Sequence, residues 1–380
     1  MNQPATYTRR KKRNATHAAV LLSDKIAHYV ITLGGLATIA AVLLVGVFLF
    51  VVALPLFYSA TSELEQSISF NLSSDQLLAS GLDESGTLAW FCNADEISVI
   101  ELKTGNKLFS RSTESCGLRQ ASSICHLQDT LRSAFGFEDG TVRTGRLGLT
   151  TSYVPQAKIP LLANSLNVGG MITINNVIYL RSSNDVTKKI ELLAYLDEPI
   201  SAALTRPIID IDLAITTNGF CVAALDDRGN IHVQKRSFQK NLITDESSVS
   251  TVETTIKEDR DLSGFCFIRV SGLGDQLFVF TPSGVFKRFV IRDATQPVLM
   301  EQRQLLQKNQ TLTHITRLFG GSSFVLGDNS GTTRILFTSR DTSVTTKDGL
   351  ATKITATFAS RLNETNCLLY TSPSPRDATL

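Results

Sequence analysis

The chain has 380 residues, of which 43% are hydrophobic and 19% charged, and a net charge of +2. That length allows two average domains or one large all-β domain. The charge is uneven: residues 1–25 are net +5, whereas residues 63–366 carry 30 Lys and Arg against 33 Asp and Glu. A mildly acidic bulk without a basic stripe argues against nucleic acid as a partner.

In chain order, the first segment is a basic tail, residues 1–25, with Arg9, Arg10, Lys11, Lys12 and Arg13 together. No Asp, Glu, Lys or Arg then occurs between Lys25 and Glu63, and Tyr29–Leu54 is almost continuously apolar. As a helix, that stretch would span ~39 Å, longer than the ~30 Å hydrocarbon core, so it can cross a bilayer with tilt. A transmembrane region over 26–58 is predicted, with Pro55 and Tyr58 at its exit. A cleaved signal peptide has a much shorter apolar core, which favours an uncleaved anchor. A nuclear-localisation reading of the basic run does not fit an adjacent membrane span. Basic flanks stay cytoplasmic, which places the N-terminus inside and everything after Ala60 outside. Gly34 and Gly35 offer close helix approach, although small residues are common in membrane helices generally.

Residues 61–366 repeat strand and turn. Turns centre on Gly86, Gly140, Asn184, Gly229, Gly284 and Gly331, with gaps of 54, 44, 45, 55 and 47 residues. Gly, Asn and Asp recur there because tight hairpins need positive φ or side-chain capping. Short apolar strands such as "GFCVAAL" and "QLFVF" precede the turns, and Lys103–Asn106 turns between a third and a fourth strand. Four strands per unit of roughly 40–50 residues predict β-propeller blades, with a β-sandwich as the competing architecture. The units resemble divergent WD40-type blades, although Trp90 is the single tryptophan and no Trp-Asp dipeptide occurs. The fold class predicted is therefore membrane-anchored all-β: one transmembrane helix and then a WD40-like propeller, incomplete at its C-terminus. "SISFNLS" (67–73) is expected to close the ring, and residues 340–366, with "KITATFASRL", to open a further blade.

Little in the sequence points to chemistry. Cys92, Cys221 and Cys266 sit in apolar runs and read as core; Cys116 and Cys125 lie in a loop-like stretch, and whether they pair is left open. The absence of C-x-x-C leaves zinc without support. His17, His28, His126, His232 and His314 have no metal spacing. His28 reads as an interfacial polar residue, and His232 as a solvated residue on a strand's polar face. "GLDESGT" (81–87) has the outer glycine spacing of a phosphate loop but no lysine, so it reads as a hairpin. Asp83, Asp139, Asp226, Asp227 and Asp328 lack the alternation of a calcium loop and read as turn caps. Lys257–Asp261 reads as a solvated loop. No G-x-S-x-G elbow occurs. The expectation is a non-enzyme with no catalytic, cofactor-binding or metal residues; substrate-binding residues are not assigned.

The final residues are of another kind. Cys367 to Asp377, back-translated in one frame, resembles the adapter of transposase-based sequencing libraries through eleven codons. Residues 367–380 are therefore expected to be adapter-derived rather than native, with the natural protein continuing beyond about Asn366.

"LLSDKIAHYVITLGGLATIAAVLLVGVFLFVVALPLF" and "GDNSGTTRILFTSRD" resemble the start of long-form, PstC-type bacterial phosphate ABC-transporter permeases. These carry a large periplasmic domain after the first membrane helix. The resemblance implies a bacterial inner-membrane location with a cytoplasmic N-terminus and a periplasmic bulk. It also implies an ABC ATPase, a second permease subunit and a periplasmic phosphate-binding protein as partners besides the lipid bilayer. The alternative is a single-pass anchored propeller acting as scaffold or sensor.

Overall fold

The computed structural model describes residues 18–54, 77–183, 186–200, 204–240, 247–257, 266–318, 320–340 and 347–358. The chain divides into two compact units, 1–67 and 68–380.

The first unit is one helix, α1 (Ala18–Ala53), which starts eleven residues before the apolar stretch and takes in Ser23, Asp24 and Lys25. It stops just ahead of Pro55, since the residue before a proline is disfavoured in helical conformation. Residues 22–53 are long and apolar enough to cross a membrane; their most apolar 18-residue window has mean hydropathy 2.9 and none of it is buried. The hydroxyls of Thr32 and Thr38 donate back to the carbonyls of His28 and Gly34, each at 2.8 Å. Such bonds give the two hydroxyls an acceptor within the helix, an arrangement compatible with apolar surroundings. Gly34 and Gly35 have open space around them.

The second unit is a series of antiparallel meanders. The first sheet is β1 (Leu77–Leu82), β2 (Leu88–Asn93), β3 (Glu96–Glu101) and β4 (Lys107–Ser112). The second contains β5 (Ala121–Leu127), β6 (Arg132–Phe137), β7 (Val142–Val154), β8 (Met171–Ile174), β9 (Val177–Ser183) and β10 (Val186–Pro199), paired in the order β5-β6-β7-β10-β9-β8. The third is β11 (Ile208–Thr216), β12 (Gly219–Asp226), β13 (Ile231–Lys240) and β14 (Ser247–Ile256). β15 (Phe267–Val270), β16 (Gln276–Phe280), β17 (Val285–Val290) and β18 (Val298–Gln304) form the fourth. β19 (Leu312–Arg317), β20 (Ser323–Asp328), β21 (Thr333–Arg340) and β22 (Leu350–Phe358) form the fifth. Among the described residues no strand pairing joins one sheet to another, so the array is open.

The core lies between successive blades, in four clusters. In β16, Leu277 and Val279 pack toward the third blade while Phe278 and Phe280 pack toward the fifth. β12 does the same, with Cys221, Ala223 and Leu225 on one face and Val222 and Ala224 on the other. A strand covered on both faces needs apolar residues at every position. That is why these second strands read as unbroken apolar runs rather than alternating ones. Between the fourth and fifth blades the filling is aromatic, Phe278 and Phe324 lying 4.7 Å apart centroid to centroid.

The turns share one geometry. In "DESG", "FEDG", "DDRG", "TPSG" and "DNSG" the glycine N–H donates to the carbonyl three residues back, at 2.9–3.2 Å. Gly86, Gly140, Gly229, Gly284 and Gly331 all have φ between +64° and +87°. This is a type I turn followed by a left-handed residue, a common hairpin closure. Asp83, Asp226 and Asp328 cap their turns as expected: Asp226 Oδ1, for instance, accepts from the N–H groups of Arg228 and Asn230 at 2.9 and 2.8 Å. The tight turn within 102–106 joins β3 to β4, with Gly105 at φ +73°.

Two expectations are corrected. The turn at Asn184 does not open a blade of its own. β9 and β10 on either side of it belong to the second sheet, where the β8–β9 hairpin adds on beyond β10. And residues 350–358 do not begin a further blade: β22 pairs with β21 as the outermost strand of the fifth. The strand expected at 67–73, Asn184 itself, Pro55, Tyr58, His17, residues 258–265 and the tail 367–380 lie outside the described residues.

Candidate functional site: the inner-strand charge network and a neighbouring cleft

Among the described residues the first strand of each sheet has an edge with no strand partner, so its N–H and C=O groups need other partners. In β11, "IIDIDLAI" supplies them. Asp210 and Asp212 are two apart, so both project from the same face. Asp210 Oδ2 accepts from the N–H of Ile268 at 2.8 Å and from Arg269 Nη1 at 2.9 Å. Asp212 Oδ2 accepts from the N–H of Val270 at 2.6 Å and from Arg317 Nη1 at 3.4 Å. Arg317 also donates to the carbonyls of Val270 and Leu213, at 2.7 and 2.8 Å, and Arg269 Nη2 to that of Ile315 at 3.2 Å. Two carboxylates and two guanidiniums thus tie the third, fourth and fifth blades together. The second joins through Cys125, whose thiol donates to Asp212 Oδ1 at 2.9 Å.

The electrostatics follow from burial. Desolvation pushes Asp210 up, against the pull of Arg269; burial works to lower Arg269, but the charges of Asp210 and Asp212 together hold it up. Burial and then the Asp212 charge raise Cys125 well above the ordinary thiol range. Burial likewise pushes Cys92 and Cys221 up to about 12. A thiol held protonated in this way is not a nucleophile at neutral pH. The network can fasten blades; it sets no base beside a reactive nucleophile. Sequence reading missed it, although two aspartates at alternate positions inside an apolar strand were its visible signal.

A third cation, this one fully buried, does similar work further out. Arg288 of β17 is 0% exposed and uses all five of its N–H donors. It grips Asp348 at 2.5 and 3.2 Å and reaches Glu301 at 3.4 Å, Gln276 at 3.3 Å and the Leu350 carbonyl at 2.9 Å. Asp348 is held below its usual range by these bonds, which outweigh its burial.

A cleft of about 300 Å³ lies between the second and third blades, with Val142, Ile200 and Leu204 on one side and His232, Gln234 and Glu253 among the residues opposite. His232 is not simply solvated, as its strand position implied. Its Nε2 faces Asp226 Oδ2 at 3.2 Å and its Nδ1 faces Thr255 Oγ1 at 3.0 Å. Because a carboxylate only accepts, Nε2 is the donor in the contact with Asp226. The remaining sequence candidates are scattered. Cys92, Cys221 and Cys266 are buried in the core. Cys116 is buried in a short turn after β4 and Cys125 is in strand β5 rather than a loop; both are free thiols. Asp139 caps its own turn and Asp227 pairs with Arg206 at 3.5 Å. His28 is exposed on α1. Among the described residues no group of three or more His, Cys, Asp or Glu is placed to hold a metal.

Comparison with protein families and with characterised proteins found no match. Solved structures do show a likeness. Hsv2 of Kluyveromyces lactis is 10% identical over 70% of this chain and 75% of its own, with a TM-score of 0.32. The WD40 domain of SCAP from fission yeast is 12% identical over 74% of this chain and 73% of its own, with a TM-score of 0.32. The β-rich unit is a propeller-like succession of antiparallel blades, open among its described residues. That description rests on its own topology, four four-stranded sheets and one six-stranded sheet with buried charges between them.

Proposed function

We propose that the protein is a single-pass, membrane-anchored propeller that serves as a scaffold or sensor, its blades presenting loops to partner proteins and carrying no catalytic role. The observation behind this reading is the 32-residue apolar span at Leu22–Ala53 preceding a domain made of blades. Propellers offer large loop-lined surfaces, but a fold does not by itself name a partner. The basic run Arg9–Arg13 supports a cytoplasmic N-terminus, with the blades on the opposite side of the membrane; the bacterial inner membrane and periplasm are what the permease resemblance implies. Residues 367–380 are read as adapter-derived and are given no role.

A second reading makes the chain the N-terminal part of a phosphate importer's permease, with an ABC ATPase, a second permease subunit and a periplasmic phosphate-binding protein as partners. Its support is the sequence order of basic tail, apolar helix and large repeat domain. Deleting the gene and measuring phosphate uptake separates the two. The scaffold reading expects unchanged uptake and no ATPase co-purifying with the full chain in mild detergent. Lost uptake with a stoichiometric ATPase selects the importer.

A further inference from the structure

Among the described residues, the second blade carries an excursion that the other blades lack. β7 leaves the sheet at Val154, residues 155–170 loop out, and β8 and β9 return the chain to pair with β10. By register, Tyr153, Lys188, Leu180 and Met171 lie in one row across β7, β10, β9 and β8. The loop therefore leaves and re-enters at the same end of the sheet, beside Lys188 and Arg181.

The loop is ordered, yet it turns its apolar groups outward. Pro160 opens a single-turn helix, α2 (Leu161–Asn164), with its carbonyl accepting from the N–H groups of Ala163 and Asn164, both at 2.9 Å. Ala163 is fully buried and anchors the turn. The N–H of Gly169 donates to the Arg181 carbonyl at 2.7 Å and the N–H of Arg181 to the Gly170 carbonyl at 3.0 Å, which pins the loop's exit to β9. From this frame Leu161 is 89% exposed, Tyr153 71%, Leu162 64% and Val168 57%. A folded loop that spends its one buried position on alanine and exposes two adjacent leucines has no use for them within this unit.

The charge around these groups names the partner. Residues 153–189 hold Lys158, Arg181, Lys188 and Lys189 against the single acid Asp185, inside a domain that is otherwise net acidic. Lys189 shares its charge with Glu191 at 2.7 Å. Exposed leucines, a tyrosine and a valine rimmed by basic side chains match the interface of an anionic bilayer: apolar tips enter the acyl boundary and cations meet the headgroups. We propose that this excursion is a second membrane contact, dipping Leu161, Leu162, Tyr153 and Val168 into an anionic lipid surface. The proposal rests on the anchored reading above.

Trp90 is the only native tryptophan and is fully buried, which makes it an internal reference. The test is Leu161→Trp in the full chain, reconstituted in phosphatidylcholine vesicles with or without phosphatidylglycerol and with brominated acyl chains. The introduced indole is expected to be quenched only when anionic lipid is present, while Trp90 is not. Lys158→Gln or Lys188→Gln is expected to lower partitioning of the loop into lipid about fivefold each, the factor that corresponds to ~1 kcal/mol per basic side chain near such a surface. An unquenched indole in vesicles that retain the chain against alkaline carbonate overturns this contact and leaves the anchor intact. A chain that carbonate extracts overturns the anchor. Emission that shifts only when membrane proteins are added assigns the loop to a protein partner and overturns the lipid contact.

Discussion

Replacing Asp212 with alanine is expected to destabilise the blade domain by about 3–5 kcal/mol, the usual cost of stranding one partner of a buried ion pair. The carboxylate is 5% exposed and serves three donors: the Val270 N–H, Arg317 and the Cys125 thiol. Its loss leaves a guanidinium without a counter-charge and a backbone N–H without an acceptor where water does not reach. Asp212→Asn keeps an acceptor for Val270 but removes the charge, so it should cost less than alanine. The contrast is Glu114→Ala. The Arg119–Glu114 pair is shorter, 2.6 Å, but both side chains are more than two-thirds exposed, so its loss should cost no more than a few tenths of a kcal/mol. Urea denaturation of the full chain in detergent, followed by Trp90 fluorescence, measures all three. Equal midpoints for Asp212→Ala and Glu114→Ala would remove the network from any role in holding blades together.

Acid should loosen the domain before its hydrogen-bonded carboxylates Glu96, Asp226, Asp328 and Asp348 titrate. His126 is pushed down to about 4 by burial, with Asp129 opposing the shift. Its ring stands edge-on to Trp90 at 4.9 Å, and its Nδ1 meets Ser133 Oγ at 3.1 Å. His314 is also pushed down to about 4, by burial and then by the Arg269 charge. Between pH of about 6.5 and 4 the unfolded chain binds protons that the folded protein refuses, so stability is fully present above 6.5 and falls as pH drops to 4. A shift of that size corresponds to ~3 kcal/mol for a shielded ring, nearer 2 for these half-buried ones. The carboxylates follow at lower pH: Glu96, held down to about 2 chiefly by Lys107, and Asp226, Asp328 and Asp348, whose hydrogen bonds outweigh burial. His126→Gln should flatten the slope between pH 6.5 and 4 without moving the loss below 4. An unchanged slope in that variant would mean that His126 does not carry its share of the effect.

The turns were legible because their constraint is local. Glycine at +64° to +87° and an aspartate two to four residues from the N–H groups it caps are both written in neighbouring letters. The second strands were legible as apolar runs because both of their faces are covered. What could not be read was pairing at a distance. Nothing near Asn184 tells that β10 returns to β7 past an inserted hairpin, so a turn was taken for a blade. Residues 350–358 look the same whether they open a sheet or close one; their register with β21 decides it. The charge network was half visible. Asp210 and Asp212 stand out in "IIDIDLAI", but Arg269 and Arg317 lie 57 or more residues away and look like ordinary surface cations until the blades bring them in.

The orientation of the chain across the membrane is tested most directly by protease added to intact spheroplasts, with tags at residue 5 and within the loop at 161. The account predicts that the blade domain is digested while the leader before α1 survives until the membrane is permeabilised. A cut leader with a protected blade domain would contradict it.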